Sequence, residues 1–175
     1  MAVTEVSDEA LAQEALQAER RAIVELLTRA YWMEIETVMN YIAASMSQVG
    51  AGGLAVTAAL TEGVDEEVEH ARAIGRRIHE LQHGVIPGTE PFAGDDQYPQ
   101  PAARPADLAT MIEAVVAAET SAVRHYQRII RATAQIDEDT NALVLGILRD
   151  EQRHLRRFEG YLREYGESAG ADSIG

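Results

Sequence analysis

"LRDEQRHLRRFEG", residues 148–160, decides how the chain folds. It has the residue types of a helix, yet Glu151 and His154, three positions apart, fall in line with Val144, Ile147, Leu148, Leu155, Phe158 and Leu162. That spacing is the buried stripe of an amphipathic helix. A carboxylate and an imidazole on such a stripe must be satisfied by other groups in the core, because an unpaired buried charge costs several kcal/mol.

Outward from this run, Gly and Pro divide the sequence into four long segments rich in Ala, Leu, Glu and Arg, with few β-branched runs. The pattern is all-α. The first helix starts near Ser7, where "SDEA" supplies an N-cap and acids for the first turn, and ends before the "GAGG" at 50–53. The second spans Leu54 to Gln82, with Gly84 as its stop and Gly63 as a weak point inside it. The third spans Asp107 to Ala134, and the fourth Asp137 to Tyr165, stopped by Gly166.

Between the second and third lies a linker, residues 84–106, that holds all five prolines. The connections are therefore short, long and short. Short loops make antiparallel neighbours, and a linker of this length carries the chain from one end of a bundle to the other. The expected architecture is a four-helix bundle of two antiparallel hairpins joined by one crossover, with the second and third helices parallel. A first helix of 40-odd residues would be about 60 Å long, more than its partners need. Residues 1–20 are thus set apart as an arm or helix extension, 21–165 as the bundle and 166–175 as a flexible tail.

At 175 residues one core is the default, and the absence of cysteine excludes disulfides, thiolate metal sites and thiol nucleophiles. The formal charge of -14 comes from 29 acidic against 15 basic residues, every basic one an arginine. Such a surface repels phosphate backbones, and the one dense basic run is "RRFEGYLR" with Arg149 and Arg153 close by, so nucleic acid is not an expected partner. No stretch approaches the roughly 20 apolar residues that span a bilayer, and "MAVTEVSDEA" lacks the basic start and apolar core of a secretory leader. The expectation is a soluble cytoplasmic protein. The acidic balance suits attraction of metal cations, and equally a solvated surface.

The polar exceptions repeat on every helix. Glu34 falls on the stripe of Ile23, Leu27, Ala30, Val38, Tyr41 and Ile42; Glu67 and His70 fall on that of Leu60, Val64, Ala71, Ile74, Ile78 and Leu81. Glu119 interrupts Ile112, Val115, Val116, Val123, Ile129 and Ile130 on the third. Glu67 follows Glu34 by 33 positions and Glu151 follows Glu119 by 32, so the halves are similar. A Glu and a His at i and i+3 share one helix face and can grip one ion together. A lone Glu on a stripe is ordinarily an edge residue or one paired with Arg, but four at matched heights would cost more than a marginal fold can spare. Two divalent cations would neutralise them. Oxygen-rich sites with one nitrogen per metal suit iron or manganese, with zinc able to compete. Glu66 and Asp150, each one residue before a stripe Glu, are placed to accept the free N–H of the histidine on the opposite helix. Glu36 and Glu69 fall off the stripes and are expected to face solvent.

On these residues the chain resembles the ferritin-like di-iron carboxylate family, and bacterioferritins within it, whose ligand set is two single Glu and two Glu-x-x-His. "ILRDEQRHLRRFE" is similar to the fourth helix of that family, "VDEEVEHARAIGRRI" to the second, and "MEIETVMNYIAAS" and "AETSAVRHYQRII" to the first and third, each of the last two with a Tyr seven residues after its Glu. The likeness covers roughly residues 21–165. It implies that Glu34, Glu67, His70, Glu119, Glu151 and His154 hold two irons, with Glu67 and Glu151 bridging. It places Tyr41 and Tyr126 beside the centre as hydrogen-bond donors or one-electron reductants, although core-filling tyrosines account for them as well.

Some family features are missing. The bacterioferritin haem ligand is a Met after the second-helix Glu; Val68 stands there, so haem is not expected. Rubrerythrins carry a second third-helix Glu where this chain has Ala122. A fifth helix that helps close 24-subunit cages has no counterpart after Gly166. The resemblance implies a ferroxidase that oxidises ferrous iron with dioxygen or peroxide for storage or detoxification, in a homo-oligomer anywhere from a dimer to a cage. The alternatives are a di-iron or di-manganese oxidase, catalase or peroxidase, and a non-enzymatic cargo protein docked into a shell by its tail.

Overall fold

The computed structural model describes residues 7–46, 53–82, 86 and 107–171, with side chains as far as Tyr165. Among the described residues there are four helices and no strand: α1 (Asp8–Ser45), α2 (Leu54–Gln82), α3 (Leu108–Thr133) and α4 (Glu138–Ala171). The start signals act where the sequence puts them. Ser7 caps α1 by accepting from Ala10 N at 3.3 Å, and Asp107 caps α3 by accepting from Thr110 N at 2.8 Å. Asp107 is thus the cap of α3, and its first helical residue is Leu108.

Asp137 does more than start α4. Its Oδ1 accepts from Thr140 N at 2.9 Å and from the Arg77 guanidinium at 2.7 Å, which ties α4 to the end of α2. Burial would raise this carboxyl, but the Thr140 and Arg77 donors outweigh it and hold it below the usual range. Asp137→Ala removes both contacts, and a loss of about 1–2 kcal/mol in urea unfolding is expected.

Cross-helix pairs give the directions of the chain. Tyr41 packs on Gly63, and Tyr31 on Gly75, so α1 and α2 are antiparallel. Tyr41 bonds Glu119 and Tyr126 bonds Glu34, so α1 and α3 are antiparallel; His70 with Asp150 and His154 with Glu66 make α2 and α4 so. Two helices each antiparallel to α1 are parallel to each other. The α2–α3 connection must therefore traverse the length of the bundle, as the sequence predicts, although of that crossover only Ile86 is described.

The core has two apolar clusters. One gathers Leu27, Ile74, Ile78, Tyr126, Ile129 and Val144; the other gathers Tyr41, Leu60, Ile112 and Phe158. On α1, α2 and α4 the residues of one cluster precede the stripe Glu and those of the other follow it, and on α3 only Ala118, next to Glu119, departs from this, so the acidic residues form a layer between the clusters.

Two expectations change. The α4 backbone continues to Ala171, past the stop predicted at Gly166, and residues 166–171 are not a tail; residues 172–175 lie outside the described ones. A helix-interior Gly costs only about 1 kcal/mol relative to Ala, and α4 already contains Gly146 and Gly160. At the other end α1 is unbroken from Asp8, but everything up to Ala22 is exposed, including Leu11 and Leu16. The start of α1 is a helical extension beyond the packed bundle, and residues 1–6 lie outside the described ones.

Candidate metal centre

The six stripe residues named from the sequence meet in one layer. Glu34, Glu67, Glu119, Glu151, His70 and His154 are all buried, and the four carboxylates are at most 2% exposed. They form two overlapping sets. Glu34, Glu67, His70 and Glu151 each offer an atom within 4.8 Å of the others, and so do Glu67, Glu119, Glu151 and His154. Glu67 and Glu151 belong to both sets, and these are the only such groups of His, Asp and Glu among the described residues.

His70 Nδ1 lies 3.2 Å from Glu67 Oε2, 3.1 Å from Glu151 Oε1 and 3.7 Å from Glu34 Oε2. His154 Nδ1 lies 3.0 Å from Glu67 Oε1. Close as several of these atoms are, Glu67 Oε1, Glu119 Oε2, Glu151 Oε1 and His154 Nδ1 make no hydrogen bond. Buried polar atoms are rarely left in this state. Atoms that point past one another into a shared space, all from carboxylate or imidazole, fit as ligands of a cation.

The electrostatics agree. Burial, followed by repulsion from Glu34, raises Glu67 and Glu151 well above the carboxylate range. Glu119 is also raised by burial, with Tyr41 and His154 opposing. Burial would raise Glu34 too, but bonds from His70, Glu67 and Tyr126 prevail and lower it. Burial would lower His70, and its three carboxylate neighbours raise it instead. Without a cation, the layer holds its charge by sharing protons.

The surrounding residues orient this layer. Tyr41 OH donates to Glu119 Oε1, and Tyr126 OH donates to Glu34 Oε1. Both phenols are pushed up, first by burial and then by the carboxylate each one bonds, so they remain donors. Asp150 Oδ2 lies 3.4 Å from His70 Nε2, and Glu66 Oε2 lies 2.5 Å from His154 Nε2, the crossed pairing read from the sequence. An acceptor at Nε2 orients each imidazole so that Nδ1 faces the carboxylate layer, the atom that would bind a cation once any proton on it has left.

Three neighbours play a part at the site that the sequence did not show. Arg153 donates to Asp150 and, at 3.0 and 3.1 Å, to both oxygens of Glu66, so one guanidinium steadies both histidine acceptors. Its position three residues after Asp150 was the available signal. Gly63 is a seat for a ring rather than a flaw in the helix: a Cβ there would lie 2.7 Å from Tyr41 Cε2. Phe158 backs Tyr41 at a ring separation of 5.9 Å. A cavity of about 70 Å³ borders His154 and Tyr41 on the α2–α4 side, rimmed by Glu62, Glu66, Arg153 and Arg157. Glu69 is exposed and bonds Arg72, as expected off the stripe. Glu36 is half-buried rather than free in solvent, and burial raises its carboxyl.

No described helix is long and apolar enough to cross a membrane. The family model for the ferritin-like domain matches residues 24–166. Among solved structures, a bacterioferritin-related protein from Bacteroides fragilis, described as a dodecameric thioferritin, superposes with a TM-score of 0.78 at 25% identity, over 89% of this chain and 94% of that one. Bacterioferritin from Desulfovibrio desulfuricans gives 0.73 at 19% identity, over 87% and 84%. A ferritin-like di-iron carboxylate protein from Bacillus anthracis gives 0.70 at 15%, over 82% and 97%. No curated protein matches. With its bundle and its buried carboxylate–histidine layer, the chain belongs to the ferritin-like domain family.

Proposed function

We propose that this chain is a ferroxidase, which takes up two ferrous ions at the buried layer and oxidises them with dioxygen or peroxide for storage or detoxification. The observation that carries this reading is the set of four buried polar atoms without hydrogen bonds, distributed over two overlapping four-residue groups. Four carboxylates and two neutral imidazoles balance two divalent cations in charge and favour iron or manganese in donor type. Bound iron supplies the one-electron redox chemistry that these side chains lack.

The chain's own residues have separable tasks in this reading. Glu67 and Glu151, common to both groups, would be shared by the two ions, and Glu34 with His70, and Glu119 with His154, would complete the two ends. Tyr41 and Tyr126 fix the rotamers of Glu119 and Glu34. Asp150 and Glu66 orient the histidines. Uptake of cations displaces the protons that burial keeps on Glu67 and Glu151, so binding releases protons. Ala122, buried one turn beyond Glu119, adds no further carboxylate. The cavity beside His154 offers a route in from the α2–α4 side. A cytoplasmic setting belongs to this reading.

Stopped-flow mixing of the anaerobic ferrous-loaded protein with air tests it. Rapid oxidation of two irons per chain supports the proposal. Failure to oxidise, or manganese as the dominant metal of the isolated protein with turnover of hydrogen peroxide, replaces it with the peroxide-enzyme alternative.

Self-association is part of the proposal. Met39 and Ile42 on α1 and Met46 at its C-cap stand 58%, 40% and 75% exposed at i, i+3 and i+7, in line with half-buried Trp32 and Ile35. That seam has heptad spacing and suits a helix of a second copy. The double variant Met39→Glu, Ile42→Glu is expected to run as a smaller species in light-scattering chromatography, with helix content unchanged. An unaltered mass would show that the seam is not the contact.

A further inference from the structure

On the side of the bundle away from α2 and α4, α1 and α3 leave a cleft of about 420 Å³. Arg29 of α1 and Arg124, Arg128 and Arg131 of α3 line it, the last three at i, i+4 and i+7 and so along one ridge of the helix. His125 forms part of the lining and is 8% exposed; its Nε2 bonds the Leu26 carbonyl at 2.9 Å. The cleft has no carboxylate in its lining.

That is unusual for this chain. It carries 29 acids to 15 arginines, and several arginines of α2 and α4 are matched across helices: Arg77 with Asp137, Arg153 with Glu66 and Arg157 with Glu62. Among the described residues, by contrast, no carboxylate pairs with Arg124, Arg128 or Arg131. Guanidinium groups gathered around one hollow repel each other, and the cleft becomes favourable when an anion lies among them. Their planar forks match the oxygens of phosphate two at a time. The volume admits one phosphate with its water or two linked phosphates.

We propose that the α1–α3 cleft is a binding site for phosphate-bearing anions, held by Arg124, Arg128 and Arg131. The hydroxyl of Ser121, also in the lining, donates to the Ala117 carbonyl at 3.1 Å, so the donors to the anion are the arginines. The site stands independently of the metal reading, since it needs no cation. It lies one side-chain layer from the carboxylates: Met33, beside Glu34 in sequence, lines it, and Tyr126, beside His125, bonds Glu34.

His125 provides a reporter. Burial lowers its pKa to about 4, and Arg29 and Arg128 push in the same direction. An anion that offsets those two charges raises it. The test is calorimetric titration of the full metal-free chain with orthophosphate and with pyrophosphate at low salt, alongside NMR of the His125 ring. The expected result is one saturable site per chain that weakens with salt, with the His125 titration midpoint moving up at saturation. Arg124→Ala with Arg128→Ala should weaken binding about tenfold or more, while Arg149→Ala with Arg156→Ala, exposed on α4, should not. Tighter binding of pyrophosphate identifies linked phosphates, and equal binding identifies a single one. Absence of saturation, binding indifferent to Arg124 and Arg128, or heat without movement of His125 overturns the proposal. So does a changed oligomeric mass in the Arg124, Arg128 variant without loss of a phosphate site, which would make the cleft an interface between copies.

Discussion

Glu151→Gln is expected to abolish paired metal binding while making the metal-free bundle more stable. The two effects share one cause. Glu151 belongs to both four-residue groups, is 2% exposed, and leaves Oε1 without a hydrogen bond. In the metal-free chain its burial, together with Glu34 and Glu67, makes ionisation unfavourable, so a neutral amide of the same shape relieves the fold. A gain of about 1 kcal/mol or more is expected in thermal or urea unfolding. With iron the sign reverses. Outer-sphere partners alone commonly change metal affinity 10- to 100-fold, so loss of a shared ligand should lower the oxidation rate by on the order of a hundredfold or more. Wild-type protein at ferrous iron about 100 times its Kd should gain about 2.7 kcal/mol, and the variant should gain little. A variant less stable than wild type without metal, and as fast with iron, would contradict this account.

The second large effect is on pH. His125 has a folded pKa of about 4, lowered first by burial and then by Arg29 and Arg128, against the Leu26 bond that raises it; its ordinary value is 6.5. Because the folded value is depressed, the unfolded chain takes up the proton first as pH falls. The contribution to stability is complete above about pH 6.5 and is lost progressively down to about pH 4. The difference corresponds to roughly 3 kcal/mol at 1.36 kcal/mol per unit. Carboxylates of the buried layer also titrate in this window, and His125→Gln separates the two contributions. Gln keeps a donor for the Leu26 carbonyl and cannot charge. Between pH 7 and 4 the wild type should lose about 3 kcal/mol more than His125→Gln, measured by urea unfolding at each pH. Parallel curves would mean that His125 accepts its proton in the folded state without cost.

How much of this was legible follows from where each signal sits. Helices and directions were readable because apolar stripes recur at helical spacing, Ser7, Asp107 and Asp137 sit at cap positions, and all five prolines fall in one linker. The six site residues were readable because each contradicts its surroundings: a Glu or His on a stripe of Ile, Val and Leu is a local conflict that only a long-range partner resolves. Glu66 and Asp150 followed from being next to them. Arg153 did not stand out, since an exposed Arg on a polar face matches what any solvated helix would carry. Gly63 looked like a helix weakness because the ring that needs its bare Cα comes from Tyr41, on another helix. Gly166 looked like a stop because Gly ends helices often, though its cost within one is small. The arginine cleft was invisible for a similar reason: Arg29 is far in sequence from Arg124, and only the fold unites them.

The central claim is that the buried layer holds two metal ions through Glu67 and Glu151 in common. Anomalous diffraction at the iron edge, from crystals loaded anaerobically with ferrous iron, tests it most directly. Two peaks are predicted, one among Glu34, Glu67, His70 and Glu151 and the other among Glu67, Glu119, Glu151 and His154. A single peak, or none within these residues, would contradict the account.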